Sequence, residues 1–461
     1  MTYWPDAKAC FKRHIGLSSK ALTRAGLHES TRNKYLSLVG QASGEGLQIE
    51  VLIDEHKQQV IRQNREKLVS IIDTIKLCGR LGLALRGHRD DSSYHPEVGS
   101  YSKGGVGNYV ELLNFRVQAS DTVLADHLKN CPKNASYISK TTQNDLIAAC
   151  GQVITEKITS EIKINKFFSI IADEAADSAN KEQLSLVIRF VDSNRNVRED
   201  FVRFLHCKWG LSGESLEKLI HSALTELKLS IEDCRGQGYD GAGAVAGHIN
   251  GLSARILRLN SKAIYTHCYS HRLNLAICNS CSVPFVRNVF SQIKELSYFS
   301  ISLMDGKCYF QKQLKTIAHI QSSTKQKNWK ENFRLFSDFY KDDLPNPLGL
   351  DAELELWEKF WTTYEGSLPD SAASTLKALG FEGFENIKAC LRLLATLPVT
   401  SCECERSISA LRMLKTYNRS TMVEERLNGL ALMRIHQEIE PTVDEVINKF
   451  AYGNRRLELK L

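Results

Sequence analysis

Apolar residues along the first third of the chain recur with helical spacing. Val60, Leu68, Ile71, Ile72 and Ile75 fall on one face, and Leu112, Leu113, Val123 and Leu124 follow after a glycine-rich break at 104–107. This predicts an α-helical domain over 46–160. Near residue 160 the rhythm changes. Residues 167–173 form a short apolar run rich in β formers that ends in acid, and 184–191 form a second. A polar turn at 192–196 leads into a third run, 197–205. Leu216, Leu219, Ile220, Ala223, Leu224 and Leu227 then mark an amphipathic helix. Residues 234–240 read as a strand entering a loop. Val245, Ile249, Leu252, Ile256 and Leu259 read as one more helix, and 263–266 as a fifth strand.

The order is therefore strand, strand, strand, helix, strand, helix, strand. Two antiparallel hairpins feeding a right-handed crossover place the first and fourth strands side by side and parallel. Asp173 ends the first strand and Asp240 follows the fourth, so both carboxylates are predicted at one sheet edge, where open α/β sheets hold their ligands. A mixed helical stretch containing Trp329, Trp357 and Trp361 follows. The last helices carry an apolar stripe of Ile408, Leu411, Leu414, Val423, Leu427, Leu430 and Ala431.

Composition narrows the class. Of 461 residues, 43% are hydrophobic and 25% charged, as in ordinary globular protein, and the formal net charge of +7 permits nucleic-acid binding without requiring it. No apolar run reaches the roughly 18 residues of a membrane span, and the N-terminus lacks the plan of a secretory signal. Thirteen cysteines without a disulfide-like rhythm fit reduced thiols in a nuclear or cytosolic compartment.

Several constellations carry chemistry. Two aspartates at neighbouring strand ends, joined by a carboxylate from a later helix, would make a hard-oxygen site for Mg²⁺, although polar strand ends are also acidic for no reason of function. Cys268 and His271 form a C-x-x-H pair close to the C-x-x-C of Cys278 and Cys281. The residues between them read as buried helix, so zinc is not expected. Gly236, Gly238, Gly241 and Gly243 lack a P-loop's Lys-Ser/Thr, and their expected duty is backbone freedom beside Asp240. The basic run 85–89 could touch phosphate, but two acids follow it and a solvated face is the simpler expectation.

Taken together, these segments resemble the hAT superfamily of DNA transposases, in particular its transposon-derived zinc finger MYM-type relatives. The matching text includes Leu85-Arg-Gly-His88, Phe168-Ser-Ile-Ile-Ala-Asp-Glu174, Gly236-Gln-Gly-Tyr-Asp-Gly-Ala242 and His267-Cys-Tyr-Ser-His-Arg-Leu-Asn-Leu275. Near the other end come Cys404-Glu-Arg-Ser-Ile-Ser409 and Arg419-Ser-Thr-Met-Val-Glu-Glu-Arg-Leu-Asn428. The resemblance implies an α/β, RNase H-like mixed-sheet core with an α-helical N-terminal domain, a shortened helical insertion and C-terminal dimerisation helices. It divides the chain into a zinc-finger remnant (1–45), helical domain (46–160), first part of the core (161–285), insertion (286–395), and end of the core with the dimerisation region (396–461). It implies Asp173, Asp240 and Glu405 as a catalytic and Mg²⁺- or Mn²⁺-binding triad, with Cys268, His271 and Arg406 as structural neighbours.

Three departures from the family pattern bear on activity. Trp4, Phe11 and His14 fit the tail of the family's zinc finger, but Lys20 holds the partner histidine position. Only 165 residues separate Asp240 from Glu405, and Cys404 replaces a serine. The expected function is that of a nuclear, dimerising, transposase-derived module for protein or DNA interaction that has lost transposition. Its expected partners are a second copy or another hAT-type protein, and DNA, with no membrane. The alternative is an active Mg²⁺-dependent transposase.

Overall fold

The computed structural model describes residues 46–87, 106–132, 135–280, 329–366, 368–369 and 371–451. The expected finger remnant at 1–45 lies outside them, as do His88, Arg89 and Cys281. Among the described residues four helices come first: α1 (Gly46–Leu81), α2 (Asn108–Gln118), α3 (Thr122–Asn130) and α4 (Lys140–Asn165). Polar residues start two of them. The Asp121 side chain accepts from Leu124 N at the head of α3, and Ser139 accepts from Thr142 N at the head of α4. Then follow β1 (Phe168–Ala176), β2 (Glu182–Val191), β3 (Val197–His206), α5 (Gly213–Glu226), β4 (Cys234–Tyr239), α6 (Gly243–Ala246), α7 (Leu252–Leu259), β5 (Ile264–His267) and α8 (Tyr269–Ser280).

The sheet order is β3-β2-β1-β4-β5. β1, β2 and β3 pair antiparallel, whereas β4 pairs parallel with both β1 and β5. The predicted side-by-side, parallel placement of the first and fourth strands is thus observed. Two details differ from expectation. β1 continues past Asp173 to Ala176, because Asp173, Glu174, Ala175 and Ala176 keep pairing with residues 182–185 of β2. The single helix expected over 245–259 is two short ones, α6 and α7, interrupted by glycines at 247 and 251 that disfavour helix, and Ile249 is 72% exposed.

The helices of 46–165 do not have a core of their own, contrary to the expectation of a separate domain. Leu68, Ile71, Ile72, Ile147 and Ile154 join one apolar cluster with Ile170, Val187 and Phe204 of the sheet. The same cluster takes in Leu427, Leu430 and Ala431 of α14 (Glu424–Ile435) and Val446 of α15 (Val443–Ala451). A turn-to-turn amphipathic pattern reports that a face is buried but not what buries it.

β3 is one of the two edge strands, and α14 protects it. Asn428 accepts from Phe204 N (2.7 Å) and donates to Phe204 O (3.0 Å), so one side-chain amide stands in for a sixth strand.

A second apolar cluster belongs to α9 (Trp329–Phe339), α10 (Leu350–Thr362), α11 (Ala372–Ala378) and α12 (Glu385–Thr396). Trp357, Trp361, Leu376, Ile387 and Leu391 fill it, and Val191 of β2 joins them. A charged clamp ties this unit to the sheet. Arg235 on β4 donates through Nε and Nη2 to both carboxylate oxygens of Asp343 (2.8 Å each), with both side chains at most 5% exposed. The guanidinium also stacks on Phe167, 4.5 Å from the ring centre.

Removing one partner of a buried ion pair leaves a bare charge in a dry place. Asp343→Ala is expected to cost about 3–5 kcal/mol in urea unfolding. The double replacement Arg235→Met with Asp343→Leu is expected to cost clearly less, and equal losses would contradict this account of the clamp.

Candidate carboxylate site at one sheet edge

The carboxyl ends of β1 and β4 lie together because the two strands run parallel, with Ile171 opposite Gly238. Asp173 stands two residues beyond that pair on β1, and Asp240 directly follows β4. The third carboxylate, Glu405, arrives on the first turn of α13 (Cys402–Leu414). Asp173 is level with Ser185 on β2, and Ser185 Oγ meets Ser407 Oγ of α13 at 2.6 Å. That contact places α13 on the sheet face towards which Asp173 and Ser185 point.

What docks α13 is the glycine face of β4. A Cβ on Gly236 would stand 2.7 Å from Pro398 Cδ and 2.5 Å from Ser169 Oγ, and one on Gly238 would stand 2.8 Å from Pro398 Cβ. Any side chain there would push away the Leu397–Pro398 segment that leads into α13. These glycines serve close approach rather than the backbone freedom expected of them, for neither has a positive φ.

The C-x-x-H pair completes the docking. Cys268 is buried, and its Sγ accepts from both the backbone N and Oγ of Ser401, the residue before α13, at 3.3 Å each. Tyr269 N also donates to Val399 O at 3.2 Å. Cys268 is therefore a tether for the glutamate helix. His271, one turn further on, faces Glu405, where its charge would favour the carboxylate. The C-x-x-C side chains near it fall outside the described residues.

The electrostatics of Asp173 show both other acids acting on it. Burial pushes the Asp173 carboxyl up to about 7, and repulsion from Glu174, Asp240 and Glu405 adds to the rise. Burial also raises Glu405, against which His271 pulls the other way. Two residues that sequence reasoning passed over belong here. Glu174 is raised by burial and by Asp240. His267 is held below the usual histidine value by burial and by His271 and Arg272, with Asp240 opposing, and its ring lies 5.9 Å from that of His271. Both stood in plain view, Glu174 next to Asp173 and His267 one residue before Cys268.

Asp173 accepts only from Glu174 N (3.1 Å) and Asp240 only from Ala242 N (3.1 Å), and neither they nor Glu405 form an ion pair among the described residues. Unpaired oxygen donors that repel one another suit a hard divalent cation in kind. In number they fall short as they stand, because among the described residues no three His, Cys, Asp or Glu side chains converge closely enough to hold a metal ion. Arg406 is exposed and committed to Glu403 at 2.8 Å, away from Asp173. Arg86, expected on a solvated face, is half-buried and donates to Asn144 Oδ1 and Lys140 O, each at 2.7 Å.

A five-stranded sheet of this order, with two aspartates and a helix-borne glutamate at its edge, defines an RNase H-like core. The chain belongs to the ZMYM1/FAM200 RNase-like domain family, whose model matches residues 3–251, and the hAT family C-terminal dimerisation region matches residues 383–439. It is similar to the 52 kDa repressor of the inhibitor of the protein kinase from Homo sapiens and from Mus musculus, at 32% identity over 239 residues in each case. The match takes in 52% of this chain and only 30% of either relative's length. The likeness to hAT proteins shown by the dimerisation-region model lies at the C-terminal end of the chain. No helix among the described residues is long and apolar enough to cross a membrane.

Because the raised pKa favours protonated Asp173 in the fold, the native state holds a proton that the unfolded chain has already lost between about pH 4 and pH 7. Stability from this group therefore falls as pH rises through that window. Asp173→Asn is expected to be more stable than the parent by on the order of 4 kcal/mol at pH 8 without divalent cations, and equal to it near pH 4. Urea melts at the two pH values check this, and a gap that ignores pH would contradict it.

Proposed function

We propose that this chain works as a nuclear, self-associating module that engages DNA or protein partners and no longer performs transposition. The observation that carries this reading is the state of the carboxylate edge. Its three acids are assembled and unpaired, yet they do not close around a common point, and Arg406 is turned to Glu403. The relatives are named as a repressor, which fits a binding role better than strand cleavage.

Self-association is proposed on the match to a dimerisation region. Apart from Val423, the apolar stripe of these last helices is spent inside the chain. Leu411, Leu414, Leu427, Leu430 and Ala431 are at most 2% exposed, packed against the sheet and the first helices. The apolar side chains that remain outside at this end are Met413 (61% exposed), Tyr417 (86%) and Val423 (53%), next to Leu81 at the end of α1 (54%). These are the residues a second copy would cover.

One observation favours the second reading, an active Mg²⁺-dependent transposase: Asp173, raised first by burial, also feels repulsion from Glu174, Asp240 and Glu405, which a cation would relieve. On that reading Asp173, Asp240 and Glu405 would hold Mg²⁺ or Mn²⁺, which supplies charge stabilisation at a phosphodiester. His271 would then keep Glu405 in place, and Cys268 would hold the helix that carries it.

Two measurements separate these statements. Duplex DNA carrying terminal inverted repeats, incubated with Mg²⁺ or Mn²⁺, is expected to remain uncut; breaks that disappear in Asp240→Ala would establish the second reading instead. Light scattering is expected to give twice the chain mass, falling to the monomer in Met413→Glu with Tyr417→Glu. A mass unchanged by that pair would place the interface elsewhere.

A further inference from the structure

Two sequence motifs left unused by the carboxylate edge meet in space. One supplies Arg86, just beyond the end of α1. The other supplies Arg419, in the single 3-10 turn Tyr417–Arg419, and Arg426, on the first turn of α14. Arg426 is only 8% exposed, and its Nη1 donates to Asn144 Oδ1 at 2.6 Å, the same atom that accepts from Arg86. Arg419 makes two long contacts, to Gly82 O (3.4 Å) and Leu414 O (3.5 Å). Among the described residues no carboxylate pairs with Arg419 or Arg426, and Glu424 and Glu425 on the same turn make no ion pair with them.

One neutral amide oxygen thus serves two guanidinium groups, with a third beside them. Burial pushes Arg426 down to about 10, and the nearby charges of Arg86 and Arg419 push the same way. A buried cation among cations is costly unless an anion reaches it. Guanidinium forks match the oxygen geometry of phosphate, and guanidinium keeps its charge at any working pH. The place is also informative. Lys415 is paired with Asp177 just past β1, and Ser178 Oγ donates to Thr416 O. The cluster therefore lies near the same end of the sheet as Asp173.

We propose that Arg86, Arg419 and Arg426 form a binding site for a phosphate group, separate from the carboxylate edge. The group comes either from a nucleic-acid backbone, in which case the site deepens the DNA-binding part of the reading above, or from free phosphate. It requires no strand cleavage, so an uncut duplex leaves it standing.

The test uses the full chain without divalent cations. Inorganic phosphate is expected to raise the melting temperature saturably above that in chloride of equal ionic strength. The rise is expected to disappear in Arg419→Gln, a half-buried position where circular dichroism is expected to show the fold intact, and in Arg426→Gln. Fluorescence anisotropy with a duplex oligonucleotide then names the source. A roughly tenfold weaker affinity for Arg419→Gln, with the salt slope reduced by about one, assigns the site to the DNA backbone. An unchanged DNA affinity beside lost phosphate protection assigns it to free phosphate. Phosphate that protects no better than chloride, or that protects Arg419→Gln equally, overturns the proposal.

Discussion

The approach of Leu397–Pro398 to the bare face of β4 sets where everything at the carboxylate edge can be. Gly236 and Gly238 leave no side chain between that segment and the strand, so the chain that follows enters α13 at a fixed height above the sheet. Cys268 then holds Ser401, and Ser185 meets Ser407 one turn along. Glu405 owes its position to these contacts, none of which involves the glutamate itself. A close-packed interior transmits such placement with little slack.

The same logic explains why the surroundings of the site are so heavily tied. Lys415 and Asp177 form a buried ion pair where α13 ends, and Asp177 also receives Ala179 N, Lys181 N and Gln183 Nε2. Burial alone would raise the Asp177 carboxyl, but these donors hold it below the ordinary value. Asp173 sits in no such network; it has one backbone donor, and burial drives it upward instead. Two aspartates four residues apart thus differ in kind: one is saturated and structural, the other is left to repel its neighbours.

Much of the architecture was legible along the chain. The β runs at 167–173 and 184–191, the turn after them and the amphipathic helix from Leu216 are local patterns, and local patterns survive folding because strand and helix periods are set by the backbone. The parallel neighbours β1 and β4 followed from connection rules. Gly236 and Gly238 differ from expectation, because a missing Cβ looks alike in sequence whether it serves a turn or a close neighbour. The C-terminal stripe has the same ambiguity: periodicity marks a face as apolar and is silent on whether the covering surface is another chain or, as here, α4, α1 and β3.

By itself the sequence determined the element order, the pairing of the first and fourth strands, and the resemblance that singles out Asp173, Asp240 and Glu405. Those depend on short-range periodicity and on motifs readable without coordinates. Only the tertiary structure decided that Glu174 and His267 join the acids, that Cys268 is a tether, that Arg406 turns to Glu403, and that Arg86 and Arg426 share one asparagine. Each of these is a contact between residues brought together by folding, where distance in space, not spacing in the chain, sets the energy.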